Sequence, residues 1–110
     1  MSRRELLKGS TETLLLSLVA GEPMYGYQLV KQMERRSSGY FRFKEGTLYP
    51  ALHRLESDGL ITGAWRPAPN GQLRRYYHIT DAGLSKLSSL QTEWRQFAHA
   101  VELVVTAQPS

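Results

Sequence analysis

The sequence predicts a mainly α-helical fold with one small β-hairpin, ordered helix, helix, helix, hairpin, long helix. Three observations predict it. Apolar residues recur at helical spacing in three segments divided by Gly- and Pro-bearing breaks. Two runs rich in aromatic and β-branched residues flank the turn-forming loop Pro67-Ala68-Pro69-Asn70-Gly71. A last apolar repeat, with alternating spacings of three and four, runs from Leu87 to Val104.

Gly9-Ser10-Thr11 reads as the start of the first helix, because Ser and Thr favour the N-cap. Leu14, Leu15, Leu18 and Val19 follow at helical spacing, and Gly21-Glu22-Pro23 ends it. A second helix fits Tyr25 to about Arg36. Leu29, Val30 and Met33 give its buried face, Lys31, Gln32, Arg35 and Arg36 stay outside, and Ser37-Ser38-Gly39 turns the chain. A third helix fits Glu45 to Ser57, with Leu48, Leu52 and Leu55 as a clear stripe. Pro50 falls early in it, where a missing N–H costs least, and Asp58-Gly59 is the stop.

Strands are expected over Leu60 to Arg66 and Leu73 to Thr80. Tyr77 and Ile79 share a strand face and should pack on the core with Leu60 or Ile61. Thr80 then caps the last helix, where Leu87, Leu90, Trp94, Phe97, Val101 and Val104 form a coiled-coil-like seam of nearly three heptads. The tail from Thr106 to Ser110 should fray. Three helices followed by a two-stranded hairpin is the winged helix-turn-helix arrangement. Residues 1–80 are expected to form that unit and residues 81–110 a C-terminal dimerisation helix, the whole packing as one compact body.

A chain of 110 residues suits one domain, with roughly two-thirds of its unfolded surface buried. Hydrophobic residues make up 41% and charged residues 22%, a globular composition. The absence of Cys excludes disulfides and thiolate metal sites. The apolar run Leu14 to Ala20 is far short of the roughly 20 residues of a membrane span. Near the N-terminus Arg3, Arg4 and Lys8 are interleaved with Glu5 and Glu12, and no cleavage-site pattern follows. A cytoplasmic protein without a membrane partner is expected. The net charge of +4 is concentrated between Lys31 and Arg75, where nine Lys/Arg face four acids. That distribution fits a polyanionic partner, or a solvated basic surface.

In a helix-turn-helix protein the third helix lies in the major groove with its N-terminal residues toward base edges. Here those residues are Lys44, Thr47, Tyr49 and Pro50. Thr47 can meet a phosphate, a base edge or a thymine methyl. Tyr49 follows the core residue Leu48 and points away from the core, to DNA or onto the helix before it. Arg54 has two readings, a phosphate contact or an i, i+4 pair with Asp58. The hairpin is the wing. Its Gly71 tip can approach a duplex closely, and Arg74-Arg75 supply charge, though adjacent strand residues point to opposite faces, so one Arg at most faces DNA.

Gly46-Thr47-Leu48-Tyr49-Pro50-Ala51-Leu52-His53-Arg54-Leu55-Glu56 followed by Gly59-Leu60-Ile61 resembles the signature of PadR-like transcriptional regulators. So do Tyr25-Gly26-Tyr27, and Arg74-Arg75-Tyr76-Tyr77-His78-Ile79-Thr80 with Gly83. The single C-terminal helix is similar to the short branch of that family. The resemblance implies a homodimer that binds double-stranded DNA at an inverted-repeat operator and represses transcription. It implies that Thr47, Tyr49 and Pro50 face the major groove, that Tyr25 and Tyr27 seat the second helix or touch phosphate, and that the wing near Gly71 reaches the minor groove. Leu73 departs from the pattern, which often has a basic residue there. In multidrug-sensing relatives a Trp matching Trp94 lines a pocket between subunits and stacks on flat aromatic compounds. The resemblance therefore offers Trp94 and Phe97 as a site for a small aromatic effector, beside their simpler reading as packed seam residues.

An enzyme is not expected. His53, His78 and His99 lie on separate elements without metal-like spacing, Gly26 and Gly46 lack the neighbours of a phosphate loop, and no cofactor is implied. The competing class is a winged helix used only for protein contact.

Overall fold

The computed structural model describes residues 10–106. Three helices come first: α1 over Thr11–Gly21, α2 over Gly26–Arg36 and α3 over Glu45–Ser57. Strands β1 (Ile61–Pro67) and β2 (Leu73–Ile79) follow, then α4 over Asp81–Val105. The expected order holds, with α3 bounded as the sequence predicts. Arg3, Arg4, Lys8 and the tail beyond Thr106 lie outside the described residues.

One core joins these elements. Leu15, Leu16, Leu18 and Val19 of α1 pack with Leu29 and Met33 of α2, Leu48, Ala51, Leu52 and Leu55 of α3, and Ile61 and Tyr77 of the hairpin. The α1 stripe is one residue wider than its periodicity suggests, because Leu16 is fully buried while Leu14 is only partly so. The turn at Ser37-Ser38-Gly39 continues as an extended segment to Lys44. Phe41 and Phe43 of that segment stack with ring centroids 6.4 Å apart and pack against the core.

The hairpin is antiparallel, with Ile61 opposite Ile79, Gly63 opposite Tyr77 and Trp65 opposite Arg75. Met24 adds a short third edge: its carbonyl accepts the Tyr77 N–H at 2.9 Å, and its own N–H donates to Tyr77. This bridge ties the start of α2 to the base of the wing. Thr80 caps α4 as expected, its hydroxyl oxygen accepting the Gly83 N–H at 3.0 Å and donating to the Gly59 carbonyl at 2.7 Å.

Only the first turns of α4 join this body. Gly83 and Leu87 are buried, and Leu90 packs partly against the core. Beyond it Trp94, Phe97, Val101, Leu103, Val104 and Val105 are exposed, Trp94 by 53% and Val104 by 81%. This corrects the expected seam. Leu87 belongs to the chain's own core and Leu90 to its edge, because the first half of the stripe lies over α1. Among the described residues no helix is long and apolar enough to cross a membrane.

Candidate nucleic-acid interface

The front of α3 and the inner face of the hairpin enclose an open groove of about 530 Å³. Tyr25, Gly26 and Tyr27 line it from α2, Glu45 and Tyr49 from α3, and Trp65, Asn70, Leu73, Arg74, Arg75 and Tyr77 from the wing. Local sequence explains each contribution. The α3 stripe is used up by Leu48, Leu52 and Leu55, so Tyr49 and its neighbours Gly46, Pro50 and His53 face out. Strand alternation puts Trp65, Leu73, Arg75 and Tyr77 on one hairpin face and Arg66, Arg74 and Tyr76 on the other.

Tyr49 is 47% exposed, and its ring rests on α2. A side-chain carbon added at Gly26 would lie 3.1 Å from the Tyr49 hydroxyl, so the glycine makes room for the tyrosine. That hydroxyl donates to Glu45 Oε2 at 3.2 Å. Burial first, and then the Glu45 carboxylate, hold Tyr49 above the usual phenol range, so at neutral pH it is a neutral donor. Of its two sequence readings Tyr49 shows the packing on the preceding helix, and part of its ring stays open to the groove.

Tyr25 and Tyr27 divide their roles. Tyr25 stands at the N-cap of α2, with its N–H donating to Gln28 Oε1 at 3.2 Å and its ring edge-on to Tyr76 at 5.2 Å. It seats the helix. Tyr27 is 51% exposed, with the Lys31 ammonium 5.4 Å from its ring centre.

The two wing arginines also separate. Arg75 reaches back to α3 and pairs with Glu56 Oε2 at 2.5 Å, while the same oxygen accepts the Gly63 N–H at 3.2 Å. The guanidinium lies over Gly63, where a side-chain carbon would come within 2.5 Å of it. Arg75 is thereby tied to α3, while its side chain stays 36% exposed in the groove lining. Arg74 starts from the other strand face, is exposed, donates to Gln72 Oε1 at 2.5 Å and still lines the groove. Tyr77 sits beside the Arg75–Glu56 pair. Burial pushes its hydroxyl above the usual phenol range, with Arg75 pulling the other way.

The wing tip is built by the Ala68 N–H donating to the Gln72 carbonyl and the Gly71 N–H to the Ala68 carbonyl, both at 2.8 Å. Gly71 has φ +85°, a left-handed conformation that favours glycine, and is exposed.

Thr47, Pro50 and Arg54 lie on the opposite flank of α3. They line a second recess with Glu12, Thr13, Phe43 and Leu90. Arg54 pairs with Glu12 of α1 at 3.7 Å rather than with Asp58, a partner from another element that neither sequence reading named. Lys44 is the exposed N-cap residue of α3. Pro50 lies in the second turn, not the first, and it withholds the usual donor from the Gly46 carbonyl at an exposed point. Sequence reading passes over Glu45 and Trp65 as groove residues, and takes His53, which is exposed on α3, for a plain surface residue more than a contact. Trp65 is the most exposed aromatic of the wing, at 66%, a signal carried only by its place in the strand alternation. Among the described residues no cluster of three or more potential ligands could hold a metal.

A transcriptional regulator of Mycobacterium tuberculosis is 33% identical over 98 residues, covering 89% of this chain and 88% of that protein. The structure is similar to that of a PadR-like transcriptional regulator from Bacillus cereus, with a TM-score of 0.85, 32% identity and coverage of 94% and 99%. A PadR family transcriptional regulator from Eggerthella lenta gives a TM-score of 0.79 at 33% identity, covering 96% of this chain and 89% of that one. The description "Transcriptional regulator PadR-like family" matches residues 15–89, from the middle of α1 into α4. With its helices, wing and Tyr-bearing third helix in place, the chain belongs to the PadR-like family of transcriptional regulators, a family of regulators and not of enzymes.

Proposed function

We propose that the protein is a homodimeric, sequence-specific DNA-binding regulator that represses transcription at an inverted-repeat operator. Residues 1–80 do the reading and residues 81–110 join the two copies. The observation that carries this is the α3–wing groove: exposed Tyr49 on a helix front, flanked by an exposed glycine-tipped hairpin with Arg74 beside it. α3 enters the major groove, Lys44, Thr47 and Arg54 track the flanking backbone, and the wing near Gly71 and Arg74 reaches the minor groove. The exposed apolar stripe of α4 supports a dimer, which fits the same reading. Two copies place two third helices on half-sites about one helical turn apart.

Counterion release makes such binding fall steeply with salt. A gel-shift titration on the DNA upstream of the gene, repeated from low to physiological salt, should show specific retention that weakens by orders of magnitude. Capture of a protein partner with little salt dependence, and no duplex retained, would establish the protein-contact module instead.

The effector site belongs to the same proposal. The rings of Trp94 and Phe97 lie 6.1 Å apart at 32°, both more than half exposed, and a planar aromatic compound can stack between two such pairs across a dimer. Planar aromatic compounds should quench Trp94 emission. The Trp94→Phe variant, which keeps Trp65, should show no quenching, and equal quenching in both proteins would remove the site.

A further inference from the structure

The proposed DNA surface is basic, yet the first turn of its reading helix presents a carboxylate that makes no ion pair among the described residues. The three ion pairs among the described residues are Arg42–Glu34, Arg54–Glu12 and Arg75–Glu56, and each neutralises an acid outside the mouth of the groove. Glu45 has no such pair among the described residues. It lines the same groove as Asn70 and Arg74, and its side chain accepts the hydroxyl proton of Tyr49. A carboxylate set against a polyanion lowers affinity wherever it faces phosphate. It gains only where it meets a hydrogen-bond donor.

In the major groove such donors are few. Cytosine offers its N4 amino group and adenine its N6 amino group, whereas guanine and thymine present acceptors or a methyl at the corresponding places. Tyr49 donates its one proton to Glu45, so its oxygen can only accept a further hydrogen bond, and the second carboxylate oxygen of Glu45 is an acceptor too. The Glu45–Tyr49 pair therefore offers acceptors only.

We infer that Glu45 and Tyr49 act as an acceptor pair that selects, at one position of each half-site, a base carrying an exocyclic amino group on its major-groove edge, cytosine first. This rests on the DNA-binding reading above. Glu45 selects against guanine and thymine by repulsion and against phosphate by charge, so it sharpens sequence preference while lowering non-specific affinity.

The test is selection from a randomised duplex library, followed by affinity measurement for each of the four base pairs at every half-site position. The proteins compared are the unaltered chain, Glu45→Gln, Glu45→Asp and Glu45→Ala. The unaltered chain should prefer cytosine at one position by about tenfold, the discrimination of one good base contact. Glu45→Gln should move that position toward adenine, whose N6 and N7 suit an amide, and Glu45→Ala should flatten it. Glu45→Asp should weaken the preference without changing its base. Preferences at other positions should not move. An unchanged base profile in Glu45→Gln, with equal helical content, would reduce Glu45 to a first-turn acid on the helix dipole and overturn the inference. A uniform gain of affinity for all sequences would do the same, leaving a repulsive charge alone. If the unaltered chain selects no sequence, the DNA-binding reading itself fails.

Discussion

At the residue scale Tyr49 is the most informative side chain. Its ring is held on Gly26, its hydroxyl on Glu45, and nearly half of it remains open to the groove. A half-exposed ring adds little to the core, so its removal should be felt in binding more than in folding. Tyr49→Ala is expected to cost about 1–3 kcal/mol of operator affinity while the fold and oligomeric mass stay unchanged. Gel-shift titration beside thermal unfolding checks this. A loss of stability with unaltered affinity would make Tyr49 a spacer between α2 and α3.

At the scale of elements, the Arg75–Glu56 pair fixes the wing against α3. It spans a strand and a helix, shares its acceptor oxygen with the Gly63 N–H, and occupies the space that a side chain at 63 would take. Glu56→Gln removes the countercharge and frees Arg75 to reach a phosphate. Non-specific DNA binding should then strengthen, and the slope of log affinity against log salt should steepen by about 0.9, one further phosphate contact. An unaltered slope would mean that Arg75 already contacts phosphate in the unaltered protein. Element boundaries were readable along the chain because they are local. The stripe Leu48, Leu52, Leu55 and the stop Asp58-Gly59 bound α3, and the loop around Asn70-Gly71 places the wing. Pairings across elements were not readable. Arg54 meets Glu12, Arg75 meets Glu56, and Tyr49 lies on Gly26, each joining residues 19 or more positions apart in the chain. Spacing along one helix carries no information about which neighbour its outer face will meet.

At the scale of the molecule, the same limit explains the seam. Periodicity shows that Leu87 to Val104 form one stripe, but not that the stripe serves two surfaces. Leu87 closes the chain's own core, while Trp94, Phe97 and Val101 stand in the open. A row of aromatic and aliphatic side chains this exposed is the mark of an interaction face. Trp94→Glu should dissociate the proposed dimer, since it sets a charge in an apolar seam, and should leave the protomer folded because Trp94 is outside its core. Light scattering with circular dichroism reads both. A dimer mass that survives the substitution would place the interface elsewhere.

Gly83 and Trp94 are eleven residues apart on one helix, about three turns and 16 Å, and so share a side of it. The first is wedged against the Leu60 carbonyl and Ile79 at the foot of the wing, and the second begins the open stripe. No Gly or Pro interrupts α4 between them or as far as Val105. α4 is thus an axle with one end keyed into the hairpin. Any roll imposed on its free end has no joint in which to dissipate before it reaches the strands.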